Sequence, residues 1–106
     1  MKNINTKAKV ITVCGSIKFK DEMMKIAMQM ELEGNVVLVP IIHKDDNKST
    51  YTEEEIAMLS KMHKEKIKLS DAILVVNVNG YIGKATKSEI EYAKAQNKEI
   101  LYSEEI

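Results

Sequence analysis

Two side chains in this sequence have types suited to acid–base or nucleophilic work near neutral pH, Glu89 and His63, and Cys14 adds a thiol. Thr86-x-x-Glu89 opens an apolar-periodic segment, which puts Glu89 in the first turn or so of a helix. There the positive end of the helix dipole favours the ionised carboxylate that a nucleophile requires. The same spacing is a capping box, which would hold Glu89 in place for structural reasons alone. His63 falls on the apolar stripe Ile56, Leu59, His63 and Ile67. A histidine there is either a proton shuttle or a hydrogen-bonded core residue. Its late place in that segment brings it nearer the N-terminal ends of the strands unless the helix is tilted. Cys14 ends a β-branched run, where a free cysteine reads as a small buried hydrophobe walling a pocket.

Other chemistries are excluded by residue type. All sixteen basic residues are Lys, so nothing that needs a planar guanidinium fork is available. Sixteen acidic residues balance them, and a net charge of zero removes the electrostatic case for a nucleic-acid binder. One cysteine excludes an intramolecular disulfide and a thiolate zinc cluster, and fits a reducing, cytoplasmic setting. No apolar run approaches the ~20 residues of a membrane span, and the N-terminus does not read as a signal peptide. Neither Gly15 nor Gly80 and Gly83 belongs to G-x-G-x-x-G or a Walker A loop. The turn Cys14-Gly15-Ser16 lacks the acidic residues of a receiver domain. His43, Asp45 and Asp46 read as a solvated loop rather than a metal site. Neither metal nor cofactor is expected.

The elements that must position these residues follow from periodicity. After a polar tail over residues 1–9, Val10–Cys14 is a buried strand ended by Gly15-Ser16. Met23, Ile26, Ala27 and Met30 make one face of a helix near 20–33, with Gly34 as its stop; Met24 and Met28 also read as core filler. Val36–Val39 is a second strand, closed by Pro40. Residues 43–51 are loop-like, and Thr52-x-x-Glu55 is a capping box that opens a helix over 53–69. Ala72–Val76 is a third strand, Asn77–Gly83 a loop, 84–96 a helix capped by Asn97, and Glu99–Tyr102 a fourth strand.

Such alternation predicts a single α/β domain over 10–106, a flavodoxin-like three-layer sandwich with a four-stranded parallel sheet of order 2-1-3-4. Ligands in that fold sit beyond the carboxyl ends of the strands, at the switch point between strands one and three. The loop Gly15–Lys20, the loop after Pro40, the loop Asn77–Gly83 and the start of the third helix would surround one crevice.

Val13-Cys14-Gly15-Ser16-Ile17-Lys18, Ser70-Asp71-Ala72 and the stretch from Asn77 to Ala93 resemble the nucleoside 2-deoxyribosyltransferase superfamily, which includes the 2′-deoxynucleoside 5′-phosphate N-hydrolases. The resemblance runs from residue 10 to 102 in the same element order, and it aligns the family's nucleophilic glutamate with Glu89. It implies cleavage of the N-glycosidic bond of a 2′-deoxynucleoside or its 5′-monophosphate through a covalent deoxyribosyl ester. Another base or water then resolves that ester, the retaining logic of glycosidases. It further implies a small-molecule nucleoside or nucleotide substrate held by Gly15, Ser16, Ile17, Lys18, Phe19, Asn77, Asn79, Tyr81, Gly83 and Thr86. The resemblance implies as well a homodimer or higher homo-oligomer that completes the pocket.

Three departures bear on that reading. Counting eight residues back from Asp71, where the family carries an aspartate, gives His63, so proton transfer would pass to an imidazole. Gly83 stands where relatives have a hydrogen-bonding Ser or Asp, and Lys18 where nucleotide-cleaving relatives carry an arginine. The sequence given stops four residues after Tyr102, whereas relatives use a longer C-terminal segment for the 5′ end. The competing expectation is a module on the same scaffold that binds a nucleotide or nucleotide-derived ligand without turning it over.

Overall fold

The computed structural model describes residues 8–41 and 51–105. The loop residues His43, Asp45 and Asp46 lie outside the described residues, as does most of the polar tail. Four strands, β1 (Val10–Gly15), β2 (Val36–Leu38), β3 (Ala72–Val76) and β4 (Glu99–Tyr102), form one sheet of order β2-β1-β3-β4. Every pairing is parallel, with Ile11 beside Ala72 and Gly15 beside Val76 at the two ends of the central pair. Three helices, α1 (Lys20–Leu32), α2 (Glu53–Leu69) and α3 (Lys84–Ala95), connect the strands. The flavodoxin-like α/β arrangement expected from the alternation is the one observed.

Alternation along the central strands divides the core into two layers. Ile11, Val13, Ala72, Leu74 and Val76 pack with Met23 and Ala27 of α1 on one face. Cys14, Ile73 and Val75 pack with Ile67 of α2 and with Ile90 and Ala93 of α3 on the other. All five residues of β3 are buried, which explains why it reads as an unbroken apolar run.

The helix ends follow from local chemistry. Thr52 and Glu55 form the expected capping box, with Thr52 N donating to Glu55 Oε1 at 2.9 Å and Glu55 N to Thr52 Oγ1 at 3.0 Å. Gly34, at φ 100°, ends α1 in a left-handed turn in which Asn35 N donates to Met30 O. Asn97, at φ 59°, does the same for α3, with Lys98 N donating to Ala93 O.

Two expectations are corrected. β2 stops at Leu38 rather than Val39, because the Val39 carbonyl accepts from Lys66 Nζ at 2.7 Å instead of continuing the ladder. Met24 and Met28 are exposed, not core, because Met23, Ile26, Ala27 and Met30 already define the buried stripe of α1.

Candidate functional site

The site begins at the end of β1. Gly15 is held between α1 and β3 so closely that a Cβ there would lie 3.1 Å from Met23 Sδ and 3.3 Å from the Val76 carbonyl oxygen. A side chain at this point would crowd both neighbours, so the close approach favours glycine. Ser16 then turns the chain, its carbonyl accepting from Phe19 N at 2.9 Å and its hydroxyl from Lys18 N at 3.4 Å.

α2 brings His63 to this end of the sheet. Its 17 residues span about 25 Å, against about 17 Å for a five-residue strand such as β3, so its first turns overhang the carboxyl ends of the strands. Its C-terminal end is pinned where Thr12 Oγ1 donates to Lys66 O at 3.1 Å. Two residues further along β1, Cys14 Sγ lies 3.5 Å from His63 Nε2. His63 lies six residues, about 9 Å of helix, before the C-terminal end of α2, which sets it level with Cys14 near the carboxyl end of β1 and away from the N-terminal ends of the strands.

Glu89 arrives from α3 and corrects two expectations. The N-cap of α3 is Gly83, so Glu89 is the sixth helical residue, in the second turn, and it forms no capping box with Thr86. At that depth the dipole has largely decayed, and burial decides the protonation state instead. Desolvation pushes the Glu89 carboxyl up to about 7, against partial relief from a hydrogen bond with Cys14 and from the charge of Lys64. Its Oε1 is 3.8 Å from His63 Nε2, beyond hydrogen-bond range but within reach of a small shift. Burial, reinforced by Lys66, drops the His63 imidazole to about 4, and burial followed by Glu89 raises the Cys14 thiol well above its ordinary value. All three therefore favour their neutral forms in a common apolar environment. His63 Nδ1 is buried without a hydrogen-bond partner, so Cys14 and Glu89 are the polar groups its ring faces through Nε2.

Two recesses open around Gly15. The inner one, about 150 Å³, is lined by Gly15, Pro40, Ile41, Ile56, Leu59, Ser60, His63 and Glu89. The outer one, about 380 Å³, shares Gly15, Pro40 and Ile41 and adds Ser16, Ile17, Tyr81 and the first residues of α3, Gly83 to Thr86. Its size lies within the range of small-molecule sites. The α3 N-terminus that faces it has no side-chain cap, leaving backbone N–H groups directed at this recess.

Of the residues expected at a substrate, Gly15, Ser16, Ile17, Tyr81, Gly83 and Thr86 line the outer recess. Lys18 and Phe19 line neither. The Lys18 ammonium sits 3.6 Å from the centre of the Tyr81 ring, and Phe19 meets Tyr81 edge-on at 5.9 Å. Asn77 and Asn79 are also absent from both recesses. Asn77 is fully buried, its Oδ1 accepting from Ser103 Oγ at 3.0 Å and Glu104 N at 2.9 Å while its Nδ2 donates to Glu104 O at 3.1 Å. Asn79 N donates to Glu104 Oε1 at 3.1 Å. Both asparagines anchor the segment after β4. A polar residue directly after five apolar ones was the signal, but sequence gave no sign of Ser103 and Glu104 as its partners.

Gly83 supports a direct prediction. Its φ of −75° and ψ of 172° suit a serine N-cap, and a Cβ there would stand 3.5 Å from the Tyr81 hydroxyl, an ordinary contact. Gly83→Ser should therefore stabilise the fold by a few tenths of a kcal/mol through a hydroxyl accepting from Thr86 N. A lowered melting temperature would count against this geometry.

Comparison with family models and with curated proteins finds no match to this chain.

Proposed function

We propose that this protein cleaves the N-glycosidic bond of a 2′-deoxynucleoside or its 5′-monophosphate, with Glu89 as the nucleophile. The observation that carries the reading is the Glu89 carboxyl 3.8 Å from His63 Nε2, on a recess sharing three walls with a larger one below an uncapped helix N-terminus. The resemblance of the Gly15 turn and the α3 segment to the deoxyribosyltransferase superfamily supports it. In this mechanism the carboxylate attacks C1′, the C1′–N bond breaks with its electron pair going to the base, and the departing base takes up a proton from water in the recess. Water or a second base then displaces Glu89 from the ester. An imidazole held neutral suits the water step, because it accepts the proton that the attacking water gives up. The outer recess holds the sugar and its 5′ substituent, with the α3 amides facing an anionic group.

The test is incubation with a panel of 2′-deoxynucleosides and their monophosphates, with and without a second free base, followed by chromatography. Base release or exchange by the wild type, absent in Glu89→Gln, is the expected result. A protein inert toward the whole panel yet stabilised by a nucleotide would overturn turnover and favour the binding module.

Self-association belongs to the same reading, in a cytoplasmic setting. Met24, Met28 and Leu32 on α1 and, across the sheet, Met58, Met62 and Leu69 on α2 leave two separate apolar stripes exposed, either of which a second copy would cover. Light scattering at tens of micromolar, roughly the range where weak dimers form, should show a dimer or larger species; a monomer would contradict it. No helix of the described residues is long and apolar enough to cross a membrane.

A further inference from the structure

We propose that Cys14, His63 and Glu89 together bind a borderline-soft divalent cation, with Zn²⁺ the best match, whose remaining coordination position opens into the inner recess. Three elements remote in sequence deliver one sulfur, one imidazole nitrogen and one carboxylate oxygen, all within 4.8 Å of one another. This donor set suits zinc, which accepts thiolate, imidazole and carboxylate ligands together. Tetrahedral zinc with ordinary bond lengths separates a sulfur and a nitrogen ligand by about 3.6 Å, and a nitrogen and an oxygen ligand by about 3.4 Å. Here Cys14 Sγ and His63 Nε2 are 3.5 Å apart, and His63 Nε2 and Glu89 Oε1 are 3.8 Å apart. The first pair already fits, and the second closes by a few tenths of an ångström with a rotation of the Glu89 side chain.

Charge balance points the same way. A thiolate, a carboxylate and a neutral imidazole carry two negative charges, which a divalent cation cancels, so the occupied site is neutral in its apolar surroundings. Binding replaces the Cys14 S–H bond with an S–metal bond and the Glu89 O–H bond with an O–metal bond, and releases both protons to the buffer. His63 and Glu89 line the inner recess, which supplies an entry path, while Cys14 lies fully buried behind them. Three protein ligands with one open position is the arrangement of zinc sites that exchange a ligand, as opposed to closed structural sites.

This inference does not rest on glycosidic chemistry, although it shares Glu89 with it. A cation on that carboxylate ties up the electron pair needed for attack on C1′, so Zn²⁺ should inhibit base release and a chelator should restore it.

The experiment is calorimetric titration of Zn²⁺ into chelator-treated full-length protein, paired with Co²⁺ absorption spectroscopy. One ion per chain is expected, with a thiolate-to-Co²⁺ charge-transfer band and the ligand-field bands of four-coordinate cobalt. Cys14→Ser and Glu89→Gln, checked for native circular dichroism, should each weaken binding on the order of a hundredfold, the upper end of what supporting residues alone contribute. His43→Ala should leave affinity and spectrum unchanged. Equal affinity in wild type and both variants, a cobalt spectrum without the thiolate band, or loss of binding in His43→Ala would each overturn the proposal. Because binding is read without substrate, inertness toward deoxynucleosides bears on the enzymatic reading alone.

Discussion

Glu89→Gln is expected to silence base release while making the protein more stable above pH 7. The Glu89 carboxyl is raised from 4.5 to about 7 by burial, so the folded state holds its proton more tightly than the unfolded chain does. Its stabilising contribution is fully present below pH 4.5 and is lost as pH rises from 4.5 through about 7. A shift of that size corresponds to about 3 kcal/mol between the two limits. The neutral amide of the variant carries no such penalty. Urea denaturation in metal-free buffer should therefore show the variant gaining about 2.5 kcal/mol on the wild type between pH 5 and pH 8.

His63 acts in the opposite sense. Lowered from 6.5 to about 4, it contributes stability that is present above pH 6.5 and is lost as pH falls toward 4. Between about pH 4.5 and 6.5 the two slopes largely cancel in the wild type, so the difference from Glu89→Gln is what isolates the carboxylate. A stability difference independent of pH would show that burial does not hold Glu89 protonated. Turnover should fall by several powers of ten, because the nucleophile itself is gone. Wild-type base release should climb with pH through about 7 as the carboxylate ionises. A wild-type rate flat from pH 5 to 8 would contradict a role for ionised Glu89.

Asn77→Ala should be the most destabilising polar substitution at this end of the sheet, with little effect on turnover per folded molecule. Its buried side chain makes three hydrogen bonds to Ser103 and Glu104. At about 1 kcal/mol each, with partners left unsatisfied, their loss should cost about 3 kcal/mol. Hydrogen exchange should also speed up over 103–105, which these bonds tether to β3. A variant of unchanged stability but raised KM would instead make Asn77 a substrate ligand, the role expected from sequence.

The periodicity of the chain was sufficient for the sheet. Val10–Cys14, Val36–Leu38 and Ala72–Val76 are β-branched or apolar on both faces, and the segments between them repeat every three to four residues. Parallel order follows because each connection carries a helix, and right-handed crossovers leave few arrangements. Capping was legible where the side chains bond locally, as at Thr52 and Glu55. It was misleading at Thr86 and Glu89, whose spacing is that of a capping box although the helix has already begun at Lys84, after its N-cap Gly83. Local sequence favoured Thr86 as the cap because its side chain can accept a hydrogen bond, whereas the helix is entered from Gly83, which has no side chain to signal it.

Glu89 and His63 were identifiable as individual residues, but their relation was decided by tertiary structure. The docking of the C-terminal end of α2 at Thr12 sets His63 level with Cys14, and the depth of Glu89 in α3 sets it against both. Burial then opposes the ionisation that the helix dipole alone would favour, because desolvation of a carboxylate outweighs a dipole one turn away. The third member of the cluster, Cys14, read from sequence as a wall residue, since a thiol's chemistry depends on neighbours that only the fold supplies. Sequence determined which groups this protein carries to the ends of its strands; the lengths and packing of its elements decided which of them meet.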